Sequence, residues 1–208
     1  MAARKTVLRK RPYSVGRRLE LSDRRRRRIL AAARAQLESN GFLTLTLDAL
    51  ARKSGVTRQT IHNLFGNKAG LLEALFDQVA VDGGVYGMRE VMQQADAESL
   101  LENFVKVFTG FWRKDRLFIR RIHGIGAIEP ELGAAVEARN RRRHAAAAGV
   151  VERLGRWNHA TGAEKMEKVA VLFALTSFEF FDVLAEVSGS FDDAARIVLM
   201  LVNREFAN

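Results

Sequence analysis

The clearest pattern of apolar and polar positions lies between Thr46 and Lys68, TLDALARKSGVTRQTIHNLFGNK. Leu47, Leu50 and Ala51 recur at helical spacing, behind a threonine whose hydroxyl suits an N-cap, Thr46. Ser54-Gly55 predicts a stop, because glycine takes the left-handed conformation at little cost. Val56 is an apolar plug after the turn. Thr57 can cap a second helix over RQTIHNLF, in which Ile61, Leu64 and Phe65 share one face. The other face carries Arg58, Gln59, His62 and Asn63, with Thr60 at its flank. A short helix with one sealed face and one face of forked donors and acceptors fits the major groove of DNA. The same pattern also fits an ordinary αα-hairpin with a solvated polar face.

Helical periodicity extends both ways from this hairpin. Upstream, Ile29, Leu30, Ala33 and Leu37 form the stripe of a helix expected from Ser22, with Asp23 near its positive end and Asn40-Gly41 as its stop. Downstream, Asn67 can cap a helix from Lys68 to about Ala80, with Leu71, Leu72, Leu75, Phe76 and Val79 buried. Asp82-Gly83-Gly84 then marks a domain boundary. Residues 85–208 predict five or six further helices: Glu98 to Trp112, Asp115 to about Gly124, Pro130 to about Trp157, a long one over 163–187, and a last one from Ser190. Proline at 130 suits a first turn. Ser190-Phe-Asp-Asp193 resembles a capping box with aspartate in place of Glu or Gln. Only two prolines occur in 208 residues, and the fold class expected is all-α. The domain reading is a flexible basic arm over 1–21, a helix-turn-helix unit with its linking helix over 22–82, and a regulatory and dimerisation unit over 83–208.

Charge sharpens the picture. The net charge is +10, from 34 Lys and Arg against 24 Asp and Glu. Residues 1–28 hold twelve of the cations, among them Arg17, Arg18, Arg24 and Arg25, and only Glu20 and Asp23 oppose them. The remaining 180 residues balance at 22 against 22. A neutral body with a cationic arm seeks a polyanion. Where the arm leads into a groove-reading hairpin, double-stranded DNA is the expected partner; a solubility tail is the bland alternative. Cysteine is absent, which excludes a disulfide framework and thiolate chemistry and is compatible with a reducing cytoplasm, the expected location. No charge-free apolar run reaches membrane-spanning length, and no apolar signal core follows the basic N-terminus.

Residues 22–79 resemble the DNA-binding domain of the tetracycline-repressor (TetR) family of bacterial regulators. The resemblance runs through Ile29-Leu30-Ala31-Ala32-Ala33, Gly41-Phe42, Thr46-Leu47-Asp48-Ala49-Leu50-Ala51, Ser54-Gly55-Val56-Thr57, Thr60-Ile61, Phe65-Gly66-Asn67-Lys68 and Leu71-Leu72. His62 and Leu64 stand where the family usually has aromatics, and Gly66-Asn67 where it commonly has Pro-Ser or a similar pair. The resemblance implies a dimeric regulator, a repressor released from an inverted-repeat operator by a small molecule, with Lys68 contacting the DNA backbone. The DNA-contacting set expected is then Thr46, Thr57, Arg58, Gln59, Thr60, His62, Asn63 and Lys68, with Arg17, Arg18, Arg24 and Arg25 from the arm. An architectural DNA-binding protein without an effector is the alternative.

The second half of the chain suggests where an effector and a partner subunit would sit. The run over 169–187 is apolar nearly all round and must bury two sides. One side can pack on its own domain and the other on a second copy, with the last helix completing a four-helix bundle across a two-fold axis. Leu172, Phe173, Phe180, Ile197 and Leu201 are the interface candidates. Phe104, Phe108, Trp112 and Phe178 could line a cavity for an apolar or aromatic ligand, or serve as plain core. Glu179 and Asp182 interrupt the apolar run and require partners; Arg120 or Arg121 would serve, as would a cationic ligand. His123 is a further candidate ligand contact. Four histidines without ligand spacing give no metal site. No phosphate loop, nucleophile elbow or carboxylate pair points to catalysis. Neither an enzyme nor a cofactor is expected.

Overall fold

Three side-chain caps set the N-terminal unit. Thr46 Oγ1 accepts from the Ala49 amide at 3.1 Å, Thr57 Oγ1 from the Thr60 amide at 3.1 Å, and Asn67 Oδ1 from the Gly70 amide at 2.9 Å. Each satisfies an amide that the first turn of a helix would otherwise leave open. The computed structural model describes residues 15–39, 44–93, 96–155 and 159–206, and within them the regular structure is all helical, without strands. The N-terminal unit contains α1 (Val15–Ser39), α2 (Leu47–Ser54), α3 (Arg58–Phe65) and α4 (Lys68–Asp82). The second unit contains a 3₁₀ turn (Val85–Gly87), α5 (Met88–Val91), α6 (Ala97–Lys114), α7 (Arg116–Gly126), α8 (Pro130–Arg153), α9 (Gly162–Leu175), α10 (Phe178–Ser188) and α11 (Phe191–Phe206). Gly55 closes α2 at φ +60°, where its amide reaches the Ala51 and Arg52 carbonyls. This is the left-handed stop expected from Ser54-Gly55.

Three boundaries differ from the sequence expectation. First, α1 begins at Val15, seven residues before Ser22, so Arg17 and Arg18 lie on helix and Ser22 is no cap. Residues 15–21 carry arginine, glutamate and leucine, all good helix formers, and the breaker Pro12 lies upstream of them. Residues 1–14 of the expected arm and the Asn40-Gly41 stop lie outside the described residues. Second, α8 ends at Arg153, not near Trp157, and Gly155 follows at φ +66°.

Third, the long helix expected over 163–187 is two helices. Thr176 turns its hydroxyl back on the Leu172 carbonyl at 2.7 Å. Its own carbonyl accepts the Trp112 indole N–H at 3.0 Å, and Arg143 donates to the Phe173 carbonyl. Side chains from α6 and α8 thus satisfy acceptors freed by the break, and Ser177 restarts α10 by accepting from the Phe180 amide at 3.2 Å. A true capping box opens α9, where Thr161 and Glu164 cap one another. The Ser190–Asp193 pair is looser: Ser190 Oγ accepts the Asp193 amide at 3.0 Å and donates to its carboxylate at 2.7 Å.

Two apolar cores result. One lies wholly in the second unit, around Phe104, Val105, Leu172, Phe181, Val198 and Phe206. The other holds the expected Ile29, Leu37, Leu50, Ile61, Leu71 and Leu75, and it also takes in Phe118, Ile122, Leu132 and Ala135 from α7 and α8. The glycine pair after α4 therefore bends the chain without separating the packing. Polar contacts follow the same seam. Arg34 of α1 grips Asp115 with two hydrogen bonds, 3.0 and 2.6 Å. Arg139 of α8 pairs with Glu73 at 3.0 Å and Asp77 at 2.9 Å on α4, and Lys114 donates to the Asp82 carbonyl.

Candidate DNA-reading surface and ligand cavity

The hairpin presents α3 with its apolar side sealed. Ile61 and Phe65 are buried, and Arg58, Gln59, His62 and Asn63 are exposed on the other side, with Thr60 half-buried. The exposed face is partly self-paired. Gln59 Nε2 donates to Asn63 Oδ1 at 2.8 Å across one turn, and Arg58 lies 3.4 Å from Asp48 of α2. Thr57 and Thr60 exchange a hydroxyl bond at 2.9 Å. Thr46 and Thr57 are exposed caps at the starts of α2 and α3, where free amides suit a phosphate.

The arginine run on α1 divides its labour. Arg26 places its guanidinium 5.1 Å from the Phe65 ring centre, and Arg28 donates to the Gly55 carbonyl at 3.3 Å. These two brace the hairpin, a role that run composition does not reveal. Arg24 and Arg25 are exposed. Lys68 opens α4 and sits 3.4 Å from Glu131 at the start of α8. A lysine at the N-terminal end of the linking helix, next to α3 in the chain, is thereby tied to the second unit.

A cavity of about 390 Å³ lies directly behind α4. Phe76, Asp77, Val79 and Ala80 of α4 form one wall; Phe108, Phe111 and Trp112 of α6, Ile119, Ile122 and His123 of α7, and Val136, Arg139 and Arg143 of α8 form others. Of the expected ligand residues, Phe108, Trp112 and His123 are in this lining. Phe104, Phe178, Glu179 and Asp182 are not. Phe104 is fully buried in the core. Phe178 stands behind the wall, 5.6 Å from the Trp112 ring and 5.1 Å from the His123 ring. Glu179 holds His123 Nδ1 at 2.6 Å, and its carboxyl is kept below the usual range chiefly by that bond. Asp182 is clamped by Arg116 at 2.6 Å and by both forks of Arg120 at 2.7 and 2.9 Å. Burial raises its pKa, but the two arginines outweigh that and keep the carboxyl low. Asp182 therefore serves an internal salt bridge and Glu179 an internal hydrogen bond to His123, so neither acid calls for a cationic ligand.

Among the interface candidates, Leu172 is fully buried against its own chain and belongs to the core. Phe173 is half-buried beneath the Arg143 guanidinium, 3.7 Å from its ring centre. Phe180, Ile197 and Leu201 are half-buried on the outer sides of α10 and α11. Their neighbours Val183, Val187 and Met200 are 61, 82 and 55% exposed; the first two fall within the apolar run read over 169–187, and none is among the interface candidates named from the sequence. Among the described residues no cluster of His, Asp and Glu is placed to hold a metal, and no helix is long and apolar enough to cross a membrane.

A helix-turn-helix unit that shares an apolar core with an all-α unit, with a cavity walled by α4 and by α6 to α8, is the two-unit plan of a DNA-binding regulator. Residues 29–75 match the bacterial regulatory proteins of the tetR family, so the N-terminal domain is a TetR-family domain and the chain has the fold of a TetR-family transcriptional regulator. No curated protein matches it. Among solved structures, it is similar to NalD of Pseudomonas aeruginosa, the secondary repressor of the MexAB-OprM multidrug efflux pump. The two are 22% identical, with 89% of this chain and 96% of that chain covered and a TM-score of 0.65. A TetR regulator from Haloarcula marismortui is 14% identical over 89 and 97% of the two chains, at a TM-score of 0.59. A transcriptional regulator from Saccharomonospora viridis, solved in complex with choline, is 17% identical over 88 and 95%, at 0.58.

Proposed function

We propose that the protein is a homodimeric, sequence-specific repressor in the cytoplasm that leaves an inverted-repeat operator when a small molecule enters the cavity behind α4. The carrying observation is that α4 serves two sites. Its first residue, Lys68, stands beside the reading helix, and Phe76, Asp77, Val79 and Ala80 wall the cavity. A ligand there would press on the helix that sets the tilt of the reading head. Arg58, Gln59, His62 and Asn63 would read bases, while Thr46, Thr57, Thr60 and Lys68 hold phosphates, with Arg17, Arg18, Arg24 and Arg25 adding charge from α1.

Dimerisation would use two outward stripes. Phe180, Val183, Leu184 and Val187 follow i, i+3, i+4, i+7 along α10, and Ile197, Met200 and Leu201 follow along α11. Two copies of this pair make a four-helix bundle, and its two-fold axis would set two α3 helices about one DNA turn apart, roughly 34 Å. The efflux-pump repressor among the structural neighbours supports repression, and the choline complex supports small-molecule control.

The test is selection of bound duplexes from a random pool, followed by titration of the recovered site. An inverted repeat bound by two chains is expected. A motif without dyad symmetry would contradict the dimeric reading, and an operator affinity that no cavity ligand alters would favour an architectural role.

A further inference from the structure

The cavity wall contains a charge that the protein itself leaves without a carboxylate. Arg143 is 6% exposed. It donates to the Phe173 carbonyl and makes two long contacts, 3.3 Å to Thr176 Oγ1 and 3.4 Å to Asn140 Oδ1. Among the described residues it forms no ion pair within 4.0 Å. The acid whose field reaches it, Glu179, is spent on His123. Burial depresses the guanidinium to about 10, so at neutral pH it remains charged in a poorly solvated place. Such a group costs stability unless something anionic joins it.

A second observation points to the same spot. Among the described residues, three buried side-chain polar atoms have no hydrogen-bond partner: Gln36 Oε1, Arg139 Nε and Arg143 Nε. Two of the three are guanidinium N–H donors, one turn apart on α8, on residues that both line the cavity. Buried donors are almost always satisfied, so this stretch of α8 is short of acceptors, although the two Nε atoms are themselves covered by protein. The rest of the lining agrees in sign. It holds Arg89, Arg139, Arg142 and Arg143 against a single acid, Asp77, which with Glu73 already answers Arg139 and Arg142.

We infer that the cavity binds an amphipathic carboxylic acid, with its carboxylate paired to the Arg143 guanidinium and its apolar body against Phe108, Trp112 and Ile119. A guanidinium matches a carboxylate with two parallel donors. One uncompensated charge suits a monoanion better than a phosphate dianion, whose second charge would enter an apolar cavity unanswered. The apolar walls hold the body of the molecule, and the volume is within the range of small-ligand sites. This deepens the effector reading given above and rests on it only for the consequence at DNA.

The experiment is calorimetric titration of the full chain with three matched series: decanoate, decanamide and decylammonium; 2-naphthoate, 2-naphthamide and 2-naphthylmethylammonium; and the corresponding biphenyl set. In at least one series the carboxylate should bind ten or more times tighter than the amide, and the ammonium should not bind. Ala146→Phe, which fills the cavity, should remove carboxylate binding. Arg143→Met should weaken the carboxylate at least tenfold and change amide binding less than twofold. Because Arg143 also braces the α9–α10 break, that variant can fail to fold; the wild-type series then decides alone. Equal binding of amide and carboxylate, preference for the ammonium, carboxylate binding that survives Ala146→Phe, or no binding in any series would overturn the inference. Operator affinity is measured separately with the best carboxylate. A ligand that binds through Arg143 and leaves DNA affinity unchanged would uphold the ligand class and refute the effector reading.

Discussion

Replacing Asp115 tests the joint between the two units most directly. Its carboxylate accepts both arms of Arg34 at 3.0 and 2.6 Å, the partners' side chains are 16 and 29% exposed, and the guanidinium lies 4.6 Å from the Phe118 ring centre. Exposed ion pairs contribute about 0.2–1 kcal/mol, and cutting a fully buried one costs about 3–5 kcal/mol. This pair lies between those limits and has bidentate geometry. Asp115→Ala should therefore destabilise the fold by about 2 kcal/mol, and Asp115→Asn, which keeps one acceptor, by about 1 kcal/mol. For a chain of this size, about 2 kcal/mol lowers Tm by roughly 4–8 °C.

The pH dependence adds a signature. The hydrogen bonds from Arg34 hold the Asp115 carboxyl below its usual range. A depressed folded pKa contributes stability above the unfolded value, about 3.9, and that contribution is lost as pH falls through the folded pKa. The gap between wild type and Asp115→Ala should be constant from neutral pH to about 5 and shrink below about 4. Urea unfolding at fixed protomer concentration measures it, since association otherwise shifts the midpoint. An Arg34→Met partner variant closes the double-mutant cycle. A gap under about 0.5 kcal/mol, the range of ordinary surface changes, or one that is as large at pH 3 as at pH 7, would refute the assignment of this pair as a joint.

Other surfaces give further expected outcomes. Gln59→Ala and Asn63→Ala should each cost about 1–3 kcal/mol of operator binding and relax preference at one position per half-site, as read from repeat selections. Val183→Glu, on the exposed stripe of α10, should convert a particle of about twice 23.3 kDa to monomer in light scattering; an unchanged dimer would move the interface elsewhere. Deleting residues 1–14 removes Arg4, Lys5, Arg9, Lys10 and Arg11 and leaves α1 whole. The slope of log affinity against log salt should become shallower by about 0.9 for every phosphate that the shortened chain no longer neutralises. An identical slope would mean that this segment does not touch DNA.

The DNA-reading unit is legible in the sequence because its determinants are local. Caps at Thr46, Thr57 and Asn67, the Gly55 stop and the Ile61–Phe65 stripe each depend on residues within a turn or two. The break at Thr176 is not legible, because what stabilises it comes from Trp112 and Arg143, 64 and 33 positions away. A Thr-Ser pair inside an apolar run is the available signal, and Ser177 does restart the helix. Leu172 shows the limit of an all-round apolar helix: periodicity finds that two sides are buried but does not say which faces the chain's own core. The acids at 179 and 182 stand out as needing partners, and their partners prove internal. Arg143 hides in a cluster of arginines, since composition cannot tell the buried member from its neighbours Arg141 and Arg142.

The bond between Gln59 and Asn63 bears on how such a protein would travel along a chromosome. With Gln59 Nε2 donated to Asn63 Oδ1, the face of α3 that we propose reads bases would have fewer free amide groups to offer a passing base pair. Phosphate attraction would then hold the protein on any duplex without committing these side chains, which would keep one-dimensional diffusion smooth. At the correct half-site the bases must supply better partners than the side chains give each other, so the exchange acts as a threshold. Breaking that bond, as a shorter residue at 63 would, should lower the threshold and roughen the search, so that scanning slows on random sequence even as the final grip weakens.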